Sequence, residues 1–237
     1  MLKPFVSFYG GKYKLAQCYP GPAHDVIIEP FAGFAGYSTY YARPGQRVIL
    51  CDIDPVICGV WDYLIRASPA EILRLPATVD RVADLPVCEE ARNLIGFWCS
   101  KAQTAPGSRA SPWQASPRPG RLYDSWGSGI IKRLAAQVVA IRNWRIINES
   151  YENIGGAGRP ATWFIDPPYN GPAGRAYRYN VVDYAALATW CKGRSGRVIV
   201  CEQAGANWLP FKPLSVMQNT RKETRTEVFW TNIENTG

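Results

Sequence analysis

Histidine is nearly absent from this sequence, and the cysteine spacing of a metal site is missing. The 237 residues contain one histidine, His24, in a loop rich in proline and glycine. Acid–base chemistry based on histidine therefore has a single candidate. The seven cysteines include no Cys-x-x-Cys pair, so we expect no zinc or other metal site. Most of the cysteines lie in apolar segments, which predicts buried thiols in a reducing compartment.

Long apolar runs are also absent. No stretch approaches the roughly 20 apolar residues of a membrane-spanning helix. The first residues, Met1 to Phe5, lack the apolar stretch of a secretory signal. We therefore expect a cytoplasmic protein with no membrane partner. The length suits one large α/β domain, or such a domain with an insertion.

Acidic residues are scarce in one part of the chain. The formal net charge is +8, and between residues 101 and 145 many cations accompany one acid, Asp124. These cations are Lys101, Arg109, Arg118, Arg121, Lys132, Arg133, Arg142 and Arg145. Such a block is typical of proteins that bind a polyanion, although a solvated surface is the usual alternative. Trp113, Tyr123 and Trp126 lie among the cations, and aromatic residues mixed with arginine favour nucleic acid.

Strand and helix patterns alternate at both ends of the chain. Strands are predicted at 25–29, 47–51, 145–148, 162–165 and 197–201, and helices at 13–19, 37–41, 55–65 and 182–191. Segments 214–218 and 227–231 predict a terminal antiparallel pair. Alternating strands and helices predict an α/β fold with a doubly wound, mostly parallel sheet. Between these parts, residues 68–143 predict helices at 70–82, 89–101 and 129–143, with a loop at 103–121.

A rigid corner follows the predicted strand at 162–165. Residues 166–169 read Asp-Pro-Pro-Tyr, and each proline fixes its own φ while restricting the residue before it. The Asp166 carboxylate and the Pro167 carbonyl can each accept an N–H from one amino group. Tyr169 can stack on a planar base, although a partly buried loop aromatic is the alternative interpretation. The corner therefore predicts a site that holds an exocyclic amino group.

Two further motifs follow the first and second predicted strands. Residues 29–36, Glu-Pro-Phe-Ala-Gly-Phe-Ala-Gly, form a small-residue loop at a place where doubly wound sheets bind ligands. A tight turn is the alternative, and the preceding Gly-x-Gly of the dinucleotide fingerprint is missing. Asp52 lies about 20 residues further on, where an acid binds ribose hydroxyls in nucleotide sites. We expect Asp54 to cap the helix that begins at Pro55.

In their order along the chain, these motifs resemble those of the Dam-like family of DNA adenine methyltransferases. Residues 8–12, Phe-Tyr-Gly-Gly-Lys, resemble the family's N-terminal cofactor motif, and residues 29–36 resemble its cofactor loop. Asp52 matches the acid that holds the cofactor ribose, and residues 166–169 match the catalytic motif. Residues 227–232 resemble the family's last strand. The loop departs from the family at Phe34 and Ala35, where a smaller, glycine-containing turn is common.

The resemblance implies a fold, a cofactor and a partner. It implies a seven-stranded, mostly parallel sheet with a terminal antiparallel strand. Residues 1–67 and 144–237 would form the catalytic domain, and 68–143 a mainly helical insertion with a target-recognition loop at about 102–128. The cofactor would be S-adenosylmethionine and the partner double-stranded DNA, in a bacterial or phage-infected cell. The methyl group would go to the N6 amino group of an adenine flipped out of the duplex.

The resemblance also implies roles for individual residues. The catalytic set is Asp166, Pro167, Pro168 and Tyr169. The cofactor-binding set is Phe8, Tyr9, Gly10, Gly11, Lys12, Glu29, Pro30, Phe31, Gly33, Gly36, Asp52, Ile53 and Asp166. The DNA-binding set is Lys12, Arg109, Arg118, Arg121, Lys132, Arg175 and Arg178, with Tyr177 as a further phosphate contact. A solvated side chain is the alternative for Lys12, and core packing is the alternative for the three aromatic residues of the cofactor set.

Three other functions remain open from the sequence. One is methyl transfer to another amino group, on cytosine or glutamine, although Asp rather than Ser or Asn precedes the two prolines. Another is a protein that binds S-adenosylmethionine and DNA without catalysis. A nicotinamide-dependent dehydrogenase is disfavoured by the missing glycine fingerprint.

Overall fold

The computed structural model describes residues 1–100, 103–110, 126–156, 158–218 and 224–233. Within these residues, seven strands form one sheet. Its strands are β1 (Val26–Pro30), β2 (Arg47–Asp52), β3 (Arg145–Asn148), β4 (Ala161–Ile165), β5 (Gly196–Gln203), β6 (Lys212–Gln218) and β7 (Thr224–Thr231). The strand order is β3-β2-β1-β4-β5-β7-β6, with parallel pairing from β3 to β5 and antiparallel pairing on both sides of β7. The predicted α/β fold with a seven-stranded, mostly parallel sheet is confirmed.

Alternation along the strands builds two apolar cores. Ile27 of β1 lies in one core, while its neighbours Val26 and Ile28 lie in the other. Phe164 and Trp163 of β4 divide in the same way. Successive side chains of a strand point to opposite faces, so apolar strands of this kind need cover on both faces.

Helices supply that cover. They are α1 (Gly36–Tyr41), α2 (Pro55–Arg66), α3 (Pro69–Leu73), α4 (Glu89–Cys99), α5 (Ser128–Gln137) and α6 (Tyr184–Lys192). Single 3₁₀ turns lie at Ala16–Cys18, Val82–Asp84, Val138–Ile141, Tyr151–Asn153 and Gly174–Ala176. Side chains of α2, α4 and α5 share the core with Ile27, and side chains of α6 share the core with Trp163. Helices on both faces make the sheet doubly wound.

The segment 68–143, predicted as an insertion, contributes α3, α4 and α5. Phe97 of α4 and Leu134 of α5 are almost completely buried in the same core as Leu50 of β2. These helices therefore form part of the layer that covers one face of the sheet. The predicted recognition loop at 102–128 lies largely outside the described residues.

Two helix predictions were wrong in extent, and proline explains both. The helix predicted at 70–82 ends at Leu73, because Pro76 cannot donate a backbone hydrogen bond and disfavours a helical residue before it. The helix predicted at 13–19 is reduced to one 3₁₀ turn, and Tyr19, before Pro20, is extended. Among the described residues, no helix has the length and apolar character needed to span a membrane.

The strand order fixes where a ligand can bind. The chain runs from β1 outward to β3 on one side, and from β4 outward on the other. The carboxyl ends of β1 and β4 are adjacent, so the loops after them diverge and leave a crevice. Residues 31–36 follow β1 and the corner at 166–169 follows β4, so both predicted motifs border this crevice.

The loop after β1 has a strained backbone and a close contact. Phe31 and Ala35 have φ values of 63° and 47°, a region that residues other than glycine rarely adopt. Ala35 is the N-cap of α1 and adopts this left-handed conformation. A Cβ on Gly36 would lie 2.6 Å from the backbone nitrogen of Tyr13 and 2.8 Å from that of Lys12. Gly36 therefore allows α1 to pack directly on the N-terminal motif.

We expect Gly36→Ala to lower the free energy of unfolding by about 1–3 kcal/mol, because the new methyl group meets backbone atoms rather than a movable side chain. Urea unfolding of the purified protein measures this difference. Gly155→Ala is the control, since nothing lies within 4 Å of its added Cβ, and it should change stability by no more than about 0.5 kcal/mol. Equal stabilities for both variants would contradict the proposed packing role of Gly36.

Candidate functional site

Two cavities meet at the carboxyl end of the sheet. The first has a volume of about 380 Å³ and the second a volume of about 1070 Å³. Residues 8–12, Phe34, Gly36 and Tyr177 line both cavities and form the wall between them. Asp166 and Pro168 face the first cavity, while Tyr169 faces the second. The catalytic corner predicted from sequence therefore borders both cavities.

The first cavity collects most of the residues predicted to bind the cofactor. Its lining includes Phe8, Tyr9, Gly10, Gly11, Lys12, Glu29, Phe31, Gly33, Gly36, Asp52, Ile53 and Asp166. Pro30 does not line it, because this residue is buried as the last position of β1. Phe8 also packs edge-on against Phe34 and Phe97, so it serves both core and cavity. Phe31 stacks on Tyr151 with ring centroids 5.0 Å apart.

Asp52 fastens the glycine loop to the end of β2. Its carboxylate accepts hydrogen bonds from the backbone N–H of Gly33 at 2.8 Å and of Asp54 at 2.9 Å. Burial raises the pKa of Asp52 to about 6, although these hydrogen bonds oppose the rise. Asp54 accepts a hydrogen bond from the N–H of Val56 and caps α2, as predicted. Both acids thus line the first cavity, and Asp54 in addition caps the helix.

Glu29 lies beneath the loop and is almost completely buried. Its carboxyl group accepts a hydrogen bond from the backbone N–H of Ser38 at 2.6 Å, which connects β1 to the first turn of α1. Burial raises the pKa of Glu29 to about 8, and hydrogen bonds from Ser38 only partly offset this rise. At neutral pH the group is therefore largely protonated and acts as a structural tie.

An ion pair joins the N-terminal motif to the catalytic corner. The Nζ atom of Lys12 lies 2.8 Å from one carboxylate oxygen of Asp166 and 2.9 Å from the other. It also donates to the carbonyl of Gly10 at 2.9 Å. The pKa of Asp166 is raised to about 6, because burial outweighs the opposing effect of the Lys12 ammonium. Burial alone lowers the pKa of Lys12, but Asp166 and Glu227 raise it above its ordinary value.

The alternative interpretation of Lys12, as a side chain surrounded by solvent, was wrong, because the residue is only 5% exposed. The sequence showed a lysine after two glycines, which is common at surfaces, and gave no sign of the carboxylates that surround it. Lys12 lines both cavities. Its charge is therefore directed toward the interior of the site, where it neutralises Asp166.

Hydrogen bonds hold the corner itself in place. Tyr184 donates through its hydroxyl to the carbonyl of Pro168 at 2.7 Å, and Asn170 donates through its N–H to Glu202 at 3.1 Å. Glu202 is completely buried, and burial raises its pKa. Among the described residues, no hydrogen bond reaches the carbonyl of Pro167. Pro167 is buried and lines neither cavity. The structure therefore does not bring this member of the predicted catalytic set to either cavity, although its carbonyl oxygen can still accept a hydrogen bond.

The Tyr169 ring lies between a cation and a carboxylate. Lys12 Nζ lies 4.8 Å from the centroid of the ring, and the Tyr169 hydroxyl donates to Glu227 of β7. Tyr19 also donates to Glu227, at 2.8 Å. Burial raises the pKa of Tyr169 well above its ordinary value, so this phenol remains neutral and acts as a donor. Glu227 was predicted only as the start of a strand, and the sequence carried no signal that it reaches the corner.

Tyr177 is a second site residue whose position the sequence did not indicate. Its hydroxyl donates to the carbonyl of Tyr9 at 3.3 Å, and its ring packs against Phe8 and Tyr9. A Cβ on Gly10 would lie 2.3 Å from the Tyr177 hydroxyl oxygen, so glycine at position 10 leaves room for this ring. The predicted phosphate contact of Tyr177 stays a prediction, whereas its contact with the N-terminal motif is clear.

Part of the predicted DNA-binding set is exposed. Arg109, Lys132, Arg175 and Arg178 are exposed, and Arg178 lies at the first cavity. Arg118 and Arg121 lie outside the described residues, as do Trp113 and Tyr123. Trp126 donates to the carbonyl of Pro76 at 2.8 Å and packs on the core, so its ring is already engaged by the protein.

The thiols and the metal-ligand residues complete the description of the site. All seven cysteines are free, and five are buried, as the apolar segments predicted. In the part of the chain that the structure describes, no group of three or more His, Cys, Asp or Glu side chains is arranged to hold a metal ion.

We expect stability to depend on pH through Glu29. Between its ordinary pKa of 4.5 and about 8, the folded protein holds a proton on Glu29 that the unfolded chain has released. The free energy of unfolding therefore falls as pH rises through this range, by at most about 1.4 kcal/mol per pH unit from this group. Urea unfolding at several pH values measures the dependence.

Glu29→Gln is the control for this dependence, because its amide resembles the protonated acid and does not titrate. The stability of the wild type relative to the variant should fall from about pH 5 to about pH 8. A constant difference across this range would show that Glu29 titrates normally in the folded protein.

Comparison with known proteins does not extend the family resemblance. A scan against protein-family models finds no match to this chain, and a search of curated proteins finds none either. The proposed function therefore rests on the fold, the corner and the two cavities.

Proposed function

We propose that this protein is a DNA methyltransferase that transfers a methyl group from S-adenosylmethionine to the N6 amino group of adenine. The observation that carries the proposal is the position of the corner between two cavities. Asp166 faces the first cavity and Tyr169 the second, with residues 8–12 as the shared wall. A transfer reaction needs a donor and an acceptor that meet at one boundary.

The first cavity suits S-adenosylmethionine in size and charge. Its volume of about 380 Å³ lies within the usual range for small-ligand sites. Asp52, Asp54, Glu149 and Asp166 line it together with Lys12 and Arg178, and this excess of acids favours a cation and disfavours the pyrophosphate of a nicotinamide dinucleotide. Asp52 would accept hydrogen bonds from the ribose hydroxyls, and Phe31 and Ile53, which also line this cavity, would pack against the adenine ring. When bound, this cofactor supplies an electrophilic methyl group.

The corner suits an amino group as methyl acceptor. The nitrogen of an adenine amino group is a poor nucleophile, because its lone pair is delocalised into the ring. Asp166, which faces the first cavity, would accept one N–H of this amino group and orient that lone pair. A carboxylate has about four acceptor positions, so Asp166 can accept an N–H while Lys12 remains bound. The Asp166 carboxylate would then stabilise the positive charge that develops on the nitrogen.

The second cavity suits a base that has left the duplex. It is large, and the ring of Tyr169 forms part of its surface. Stacking on such a ring offsets part of the cost of flipping, which is a few kcal/mol. Lys14 and Arg133 also line this cavity and add positive charge on the side that DNA would approach.

We expect Asp166→Ala to reduce methyl transfer to DNA by at least about 100- to 1,000-fold, since it removes a preorganised acceptor. The assay measures tritiated methyl groups transferred from S-adenosylmethionine to DNA from a host without adenine methylation. Asp183→Ala is the control, because this acid caps α6 and should affect stability alone. Wild-type transfer rates in Asp166→Ala would remove the proposed acceptor.

Nucleoside analysis of the same product separates the alternatives. Label in N6-methyladenine supports the proposal, and label in cytosine identifies an amino methyltransferase of the other base. No label despite tight cofactor binding indicates a binding protein without catalysis. Sequencing of modified adenines after expression in the same host would reveal the target sequence.

We expect Asp52→Ala to weaken the affinity for S-adenosylmethionine by about 10- to 100-fold, because charge-assisted hydrogen bonds to the ribose are lost. Isothermal titration calorimetry measures this affinity. Asp62→Ala is the control, because this carboxylate lies on α2, pairs with Arg66 and lines neither cavity, so the affinity should stay within about threefold of the wild type. Equal affinities for wild type and Asp52→Ala, or tight binding of NAD, would contradict the cofactor assignment.

A further inference from the structure

Glu227 is a partly buried carboxylate that the proposed reaction does not yet use. It lies on β7, the strand inserted between β5 and β6, and its side chain is 13% exposed. It lines the second cavity and is not part of the first. Glu227 therefore borders the same wall as Lys12 without contacting the cofactor cavity.

Three groups from three parts of the chain converge on this carboxylate. Tyr169 of the corner and Tyr19 of the N-terminal segment each donate a hydroxyl hydrogen bond to the same oxygen. Lys12 Nζ lies 3.8 Å from that oxygen, in addition to its closer contact with Asp166 at 2.8 Å. Among the described residues of β7, Glu227 is thus the one that contacts both Lys12 and Tyr169.

Each contact has a consequence for the corner. The hydroxyl bond fixes one end of the Tyr169 ring, so the ring presents a constant face to the second cavity. The charge of Glu227 attracts Lys12 and limits how far its ammonium can move. Because Lys12 contacts both oxygens of Asp166, a shift of Lys12 would move the acceptor of the amino group.

We propose that Glu227 is a positioning residue of this site, which holds Tyr169 and Lys12 in the geometry that the corner needs. The inference rests on the proposed function, since the geometry matters for a base in the second cavity. Glu227 itself does not touch the reacting atoms. It acts through Tyr169 on the stacking surface and through Lys12 on Asp166.

A purely structural role predicts a different result. Tyr19 is buried, and its ring packs edge-on against Phe164 and Phe229. If Glu227 only satisfied a buried hydroxyl, loss of either partner would cost stability and leave the kinetics of the folded protein unchanged. If Glu227 positions the corner, kcat falls by a much larger factor than the affinity for the cofactor changes, because Glu227 itself does not line the first cavity.

Three variants separate these roles. Glu227→Ala removes the charge and the acceptor, Glu227→Gln removes the charge alone, and Tyr19→Phe removes the other hydroxyl on the same oxygen. We expect kcat to fall by about 100-fold in Glu227→Ala, by a smaller factor in Glu227→Gln, and by less than about threefold in Tyr19→Phe. The Kd for S-adenosylmethionine should remain within about twofold throughout. Steady-state methyl transfer, cofactor titration and urea unfolding measure these quantities.

Wild-type kcat in Glu227→Ala would overturn the inference. The inference would also be overturned if kcat fell by the same factor in Glu227→Ala and in Tyr19→Phe, and if the fraction of unfolded protein alone accounted for this fall. If the wild type transfers no methyl group, the proposed function fails, and NMR of the protein without DNA decides the positioning role. The ¹⁵N signal of the Lys12 ammonium and the ring signals of Tyr169 should then shift in Glu227→Ala, and unchanged signals would overturn the inference.

Discussion

The ion pair between Lys12 and Asp166 is the interaction on which the arrangement of the site depends. It joins a segment that precedes the sheet to the loop after its fourth strand, across 154 residues of sequence. Lys12 lies in the wall that separates the two cavities, and Asp166 faces the first of them. Without Lys12, Asp166 would be a buried carboxylate with raised pKa and no cation, and it would accept a proton rather than an N–H. The ammonium keeps the corner in the charge state that an acceptor needs.

Close packing around this ion pair explains why two nearby positions are occupied by glycine. Gly36 lets α1 approach the backbone of Lys12, and Gly10 leaves room for the hydroxyl of Tyr177. These glycines were predicted to lie near a cofactor, and the structure shows that they first allow protein segments to meet. The N-terminal motif, the loop after β1 and the loop after the corner are therefore packed as one unit. A change in any one of them would be transmitted to Lys12.

Strand and helix patterns predicted the fold well, because apolar alternation is local in sequence and the sheet buries both faces. The corner and the glycine loop were also predictable, since each lies directly after a strand. Lys12 and Glu227 were harder, because their roles arise from contacts between distant segments. The early end of α3 at Leu73 could have been predicted from Pro76. The DNA sequence read by the predicted recognition loop at about 102–128 could not be assigned, and the described residues do not include most of this loop.

The position of β7 has a consequence for how the protein forms. This strand is made after β6 and yet pairs between β5 and β6, so the sheet closes only after that segment has been synthesised. Glu227 then meets Tyr19 across 208 residues, and such distant contacts slow folding because long chain segments must be ordered first. While the β7 segment of a nascent chain is still inside the ribosome, the crevice lacks the carboxylate of Glu227. Glu227 therefore joins the site only after β7 has been synthesised, and premature termination before β7 would remove Glu227 and the antiparallel partner of β5.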